Sequence, residues 1–111
     1  MRQFANKKIK RLSRRQEMGL AEDTGSRVQK GSGSLPWAKS DVRKRGVFRA
    51  ECKFTRAKSY SVTRATLDKI RGECETGETP LLDLQFLDKF GAPADRWVMI
   101  PYDDWLKSQK D

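Results

Sequence analysis

Asp41, Glu51 and Lys53 are the residues whose types and spacing could carry chemistry. Glu51 and Lys53 lie in the run Val47-Phe48-Arg49-Ala50-Glu51-Cys52-Lys53-Phe54-Thr55. Phe48, Ala50, Cys52 and Phe54 alternate with Arg49, Glu51, Lys53 and Thr55, the pattern of a strand with one buried face. Glu51 and Lys53 therefore project together from its polar face. Arg45-Gly46 supplies a turn, so residues 40–44 should pair with this strand as a hairpin. Asp41 then lies across from Ala50 or Glu51. Two carboxylates roughly 4–6 Å apart are an unfavourable pair unless a cation sits between them. Hard oxygen ligands with open positions suit magnesium, which also binds phosphate oxygens. Such an ion can lower the pKa of a bound water and neutralise charge on a phosphorane. Lys53 would hold the attacking water or stabilise the same developing charge. The backbone carbonyl of Cys52 is a natural further ligand. Against this stands the simple reading of Glu-x-Lys as a solvated ion pair, worth under about 1 kcal/mol.

Composition narrows the chemistry further. The chain has 111 residues, 24 Lys plus Arg, 15 Asp plus Glu, and no histidine, a net charge of +9. That length suits one domain and is too short for two separate cores. Without histidine there is no Ser-His-Asp or Cys-His catalysis and no zinc site mixing Cys with His. Cys52 and Cys74 are too few for a zinc site or a disulfide framework, and fit two reduced thiols in a cytoplasmic protein. No run of apolar residues is long enough to span a membrane. Residues 1–72 carry a net +14 and residues 73–111 a net −5. A field so concentrated favours a polyanion, of which nucleic acid is the usual one. The acids within the positive part are only Glu17, Glu22, Asp23, Asp41, Glu51 and Asp68.

The elements that must position these groups follow from pattern. Residues 1–12 read as a basic, weakly ordered arm, and residues 13–111 as a single domain. Ser13 with Gln16 suggests a capping box opening a helix over 14–23, which Gly25 ends. Leu12, Leu20 and Ala21 are its inner positions. The Gly-Ser stretch at 31–36 is a loop. A second helix spans 62–75, started by Ser61 or Thr63, with Leu67, Ile70 and Cys74 inward. Strands follow over 80–87 and 96–100, separated by a turn at 90–95, and a short helix opens at Asp103-Asp104. A further strand near Arg27–Gln29 is possible. The expected fold is α/β (α+β), a mixed central sheet flanked by helices.

Asp41 followed by Glu51-Cys52-Lys53 resembles the D-(x)n-E-x-K core of the PD-(D/E)XK nuclease superfamily. Upstream, Gln16-Glu17, Leu20-Ala21, Gly25-Ser26-Arg27-Val28 and Gly31-Ser32-Gly33-Ser34 resemble the first helix and Gly-Ser loop of archaeal and phage Holliday-junction-resolvase-like nucleases. Downstream, Lys58-Ser59-Tyr60-Ser61, Leu67-Asp68-Lys69-Ile70, Pro80-Leu81-Leu82 and Trp97-Val98-Met99-Ile100-Pro101 look like phage members of that group. The likeness spans roughly residues 13–106, and its strength lies in the order of the motifs. Ser40 stands where the family pattern has proline, a position at which many members vary.

The resemblance implies a restriction-endonuclease-like αβββαβ core and a metal-dependent, structure-selective DNA endonuclease. A Holliday junction resolvase of DNA recombination and repair is the leading expectation. Hydrolysis would leave a 5′-phosphate and a 3′-hydroxyl. It implies Asp41 and Glu51 as metal ligands with Mg2+ (Mn2+ substituting), and Lys53 as the catalytic lysine. Glu17 would reach the site directly or through water, with Glu22 its rival. Ser32 and Ser34 would touch a scissile-strand phosphate. It also implies a homodimer, because two symmetric nicks need two sites. Candidate phosphate contacts are Arg14, Arg15, Arg43, Lys44, Arg45, Arg56 and Lys58, with Trp37 as the DNA-facing aromatic. Trp97 and Trp105 are expected in the core, and Asp103-Asp104 as helix-start residues. A basic nucleic-acid-binding protein without catalysis, or a nuclease for flaps, nicks or duplex ends, are the competing expectations.

Overall fold

The computed structural model describes residues 2–28 and 41–110, with the side chains of the first helix from Lys8 onward. The elements run α1 (Arg2–Thr24), β1 (Arg27–Val28), β2 (Val42–Lys44), β3 (Phe48–Thr55), α2 (Arg64–Glu73), β4 (Thr79–Leu87), β5 (Pro93–Met99) and α3 (Tyr102–Ser108). The strands form one five-stranded mixed sheet in the order β1-β2-β3-β4-β5. Only the β3–β4 pair is parallel, which requires α2 as the crossover between them. The expected α+β fold and the hairpin of β2 and β3 are both present, and Gly46 takes the positive φ its turn needs.

Helices cover both faces of the sheet. Leu20 of α1 is buried against Val42, Phe48 and Ala50. Cross-strand partners share a face, so Ala50 and its neighbour Leu81 belong to this layer. The opposite face carries Glu51 beside Leu82 and Met99, and Lys53 beside Leu84 and Trp97. There α2 buries Ile70, the middle of its expected inner face, while Leu67 and Cys74 are half-buried. Thr63 caps this helix, its side chain accepting from the Thr66 N–H at 3.2 Å. The polar face of β3 is thus not solvated as alternation suggested. Alternation detects one buried face, and a central strand of a two-layered sheet has two.

The first helix differs most from expectation. Residues 2–12 are its first half, because no proline occurs there and Lys, Arg, Ala, Gln and Leu all favour helix. Ser13 is therefore a helix interior residue, and Gln16 bonds to the sheet instead of closing a capping box. The helix runs antiparallel to β3. Its C-terminal Thr24 carbonyl receives Lys44 Nζ at 3.0 Å near the hairpin, whereas Arg15 Nη2 donates to the Gly91 carbonyl at 2.8 Å beyond the far end of β4. The helix continues for thirteen residues before Arg15, roughly 20 Å of its length.

At the other end of the chain, β5 starts earlier than expected. The turn before it is shortened by Asp88, whose Oδ1 accepts from the Phe90 and Ala92 N–H groups at 2.8 and 2.9 Å. Asp103 and Asp104 occupy the first turn of α3, as expected. Trp97 and Trp105 are not core residues. They are 66% and 47% exposed, Trp97 on the edge strand β5 and Trp105 on the short helix that follows it.

Candidate functional site

β2 is so short that, among the described residues, beyond Val42 the edge of β3 has no strand beside it. Asp41 fills that place. Its N–H donates to the Ala50 carbonyl at 3.0 Å, and its Oδ2 accepts from the Cys52 N–H at 2.7 Å. The N–H and C=O of a strand residue face the same neighbour, so the Cys52 carbonyl is directed to the Asp41 side as well. Val42 pairs with Ala50, which places Asp41 next to Glu51 in register, within the range the spacing predicted.

Glu51 is 7% exposed. Its Oε1 lies 3.4 Å from Lys53 Nζ and 3.5 Å from Lys69 Nζ. Its Oε2 is buried with no hydrogen-bond partner among the described residues, a costly arrangement for a carboxylate oxygen. Burial raises the Glu51 pKa, and Asp41 adds to this against the pull of Lys53 and Lys69. Glu17 completes the group from α1. Its pKa is raised to about 7 by burial, then by Asp41 and Glu51, against Arg14. Glu17 is half-buried and feels both site acids, whereas its rival Glu22 is exposed. Burial, with Asp83 and Asp41, pushes the Cys52 thiol up, so that side chain is an inert thiol.

The fold thus brings Glu17 of α1 and Asp41 within electrostatic reach of Glu51, which pairs with Lys53 on the same strand. Among the described residues, no three Asp, Glu or Cys side chains stand close enough to hold a metal ion as placed. The donor chemistry nevertheless fits a hard divalent cation. Two carboxylates and a backbone carbonyl face one sheet edge, one carboxylate oxygen is orphaned, and two ammonium groups stand beside the other.

The expected phosphate contacts divide between the two ends of the sheet. Arg56 and Lys58 follow β3 on the site side and are exposed. Arg14 and Arg15 are exposed on α1 at that same end, Arg15 anchored to Gly91. Lys44 and the exposed Arg45 sit at the hairpin, roughly 20 Å along the strand from Lys53. Arg43 is directed inward, its Nε 3.0 Å from Glu78 Oε2 and its Nη2 2.7 Å from Glu75 Oε2. Ser32, Ser34 and Trp37 lie outside the described residues.

Two groups of residues were not anticipated from sequence. Lys69 is one, readable only as a base flanking the inner stripe of α2. The other is a buried network on the α1 face. Asp83 is fully buried and takes Arg96 Nε at 3.0 Å and Nη2 at 2.7 Å. Arg96 Nη2 also donates to the Gln16 carbonyl, and Gln16 Nε2 donates to the carbonyls of Lys53 and Asp83. This fixes the turn of α1 that carries Glu17 against the strand that carries Lys53. Compared with family models, with curated proteins and with solved structures, the chain matches none.

Proposed function

We propose that this protein is a metal-dependent, structure-selective DNA endonuclease that resolves four-way junctions. The observation that carries the reading is the convergence of Glu17, Asp41 and Glu51 beside Lys53, with one Glu51 oxygen buried and unpartnered. The net +14 of residues 1–72 supports a polyanionic substrate around that acidic point.

Asp41, Glu51 and the Cys52 carbonyl would hold Mg2+ (Mn2+ substituting), with Glu17 direct or through water. When bound, the ion supplies charge neutralisation and a water of lowered pKa. Lys53, tethered to Glu51 and 40% exposed, orients the attacking water and stabilises charge on the phosphoryl oxygens. The water oxygen bonds to phosphorus as the P–O3′ bond breaks, leaving a 5′-phosphate, and the departing 3′ oxygen is protonated. Arg14, Arg56 and Lys58 hold backbone phosphates at the same end. Two free cysteines suit a reducing cytoplasm, and among the described residues no helix is long and apolar enough to cross a membrane.

A homodimer supplies the second nick. Its support is the apolar face of β5 and α3, where Trp97, Met99, Tyr102 and Trp105 are 66, 45, 69 and 47% exposed.

The test is cleavage of labelled four-way junction, flap, nicked and linear duplex DNA in magnesium. Asp41→Asn, Glu51→Ala and Lys53→Ala should each lower junction cleavage by at least about a hundredfold while binding persists. Cutting at the parental rate removes the site. Preference for flaps, nicks or ends would keep the nuclease and change its substrate. The pairing of both lysines with Glu51 favours a second reading, a basic nucleic-acid-binding protein without turnover. That protein would bind every substrate, cut none, and ignore magnesium.

A further inference from the structure

Glu51 Oε1 stands beside two ammonium groups, Lys53 Nζ at 3.4 Å and Lys69 Nζ at 3.5 Å. One carboxylate needs one positive partner, and Lys53, from the adjacent position on the same strand face, already supplies it. Lys69 comes from a different layer, α2, and its side chain is 57% exposed against 8% for Glu51. An ion pair that exposed is weakly held, because solvent screens it and the long side chain loses freedom to form it. An ammonium so exposed, 3.5 Å from its carboxylate, is one that can change partners.

The surroundings name the second partner. A phosphodiester strand reaching Lys53 must approach Glu17, Asp41 and Glu51, all of which repel it. Lys69 borders this acidic point on the α2 side. We propose that Lys69 is a substrate-binding residue, whose ammonium leaves Glu51 and takes a phosphate oxygen of the strand laid across the site. The inference rests on reading the site as one that handles phosphodiesters. It adds a contact from a helix to a set otherwise drawn from one sheet edge and α1.

The test is equilibrium binding of the full chain to a four-way junction and to linear duplex DNA across a salt series, without divalent metal. Lys69→Gln should lower the slope of log K against log salt by about one, as expected for one lost phosphate contact. Lys69→Arg should restore it. Lys107→Gln, an exposed lysine on α3, should leave it unchanged. Thermal unfolding should be the same for Lys69→Gln and the parent, which separates a contact from a fold defect. In magnesium, Lys69→Gln should also cut at least about tenfold more slowly. An unchanged salt slope overturns the proposal whatever the cleavage assay shows. A parent that binds but never cuts removes the nuclease reading alone, and Lys69 is then judged on the slope. A parent that binds no DNA overturns both.

Discussion

Glu78 and Glu51 are both buried carboxylates, and their partners give them opposite characters. Glu78 accepts from Arg43 Nε, Arg49 Nε and the N–H groups of Gly46 and Glu75, all within 3.0 Å. Burial raises its pKa, but these two N–H groups and two arginines outweigh it and lower the value to about 2. Glu51 has an orphan oxygen, and its pKa is raised. One is a satisfied structural anchor; the other carries an oxygen with no hydrogen-bond partner among the described residues. Glu78→Ala leaves Arg43 and Arg49 without their shared partner and should cost about 3–5 kcal/mol in urea unfolding at pH 7. Because the folded pKa lies below the ordinary glutamate value of 4.5, the stabilisation from Glu78 is complete above that value. It is lost as pH falls from there towards 2. The gap in unfolding free energy between the parent and Glu78→Ala should therefore be full at pH 6 and narrower at pH 3; an equal gap at both would contradict the linkage. Glu51 and Lys53 could be found from alternation alone. Glu78 could not, since its four donors come from β2, β3 and two turns.

At the scale of elements, the position of α1 is set by polar contacts more than by its apolar stripe. Among its described side chains Leu20 alone of the hydrophobic ones is buried, while Ile9 and Met18 are about half exposed. Gln16 and the Asp83–Arg96 pair dock the turn bearing Glu17. Arg96→Met removes the cation from a fully buried carboxylate and should destabilise by about 3–5 kcal/mol. Magnesium-dependent cleavage should fall in parallel, because Glu17 loses its registry with Lys53. A stable Arg96→Met protein with parental cleavage would show that the network does not position the helix. The start of this helix was misjudged from sequence for a definable reason. Ser13 and Gln16 fit a cap locally, but the ten residues before them are equally good helix formers, and a capping pattern does not bind when the helix simply continues.

For the whole molecule, the division of charge along the chain becomes a division of surfaces. Arg14, Arg15, Arg56 and Lys58 gather at the end where β3 delivers Lys53, while Arg43 is spent inside the fold. Arg56→Gln with Lys58→Gln should therefore weaken junction binding more than Arg45→Gln, measured at one salt concentration; equal losses would mean the basic surface acts without direction. The less basic C-terminal part carries the exposed Trp97, Tyr102 and Trp105 on an edge strand and helix. Interfaces between copies favour such aromatic residues. Sedimentation should give a dimer for the parent and a monomer for Trp97→Glu with Trp105→Glu. A monomeric parent at tens of micromolar would refute the self-association.

The sequence by itself determined the hairpin, the face of β3 that bears Glu51 and Lys53, the approach of Asp41, and the absence of histidine chemistry. These are local properties, set by a period of two, a turn glycine and composition. Only the tertiary structure decided that Glu17 lies within electrostatic reach of Asp41 and Glu51 while Glu22 is exposed, that Lys69 joins Glu51, that Arg43 turns inward, and that two tryptophans lie outside the core. Each of these depends on which face a helix presents across the sheet or on where the sheet ends. Residue spacing within one element carries no record of its partner in another layer.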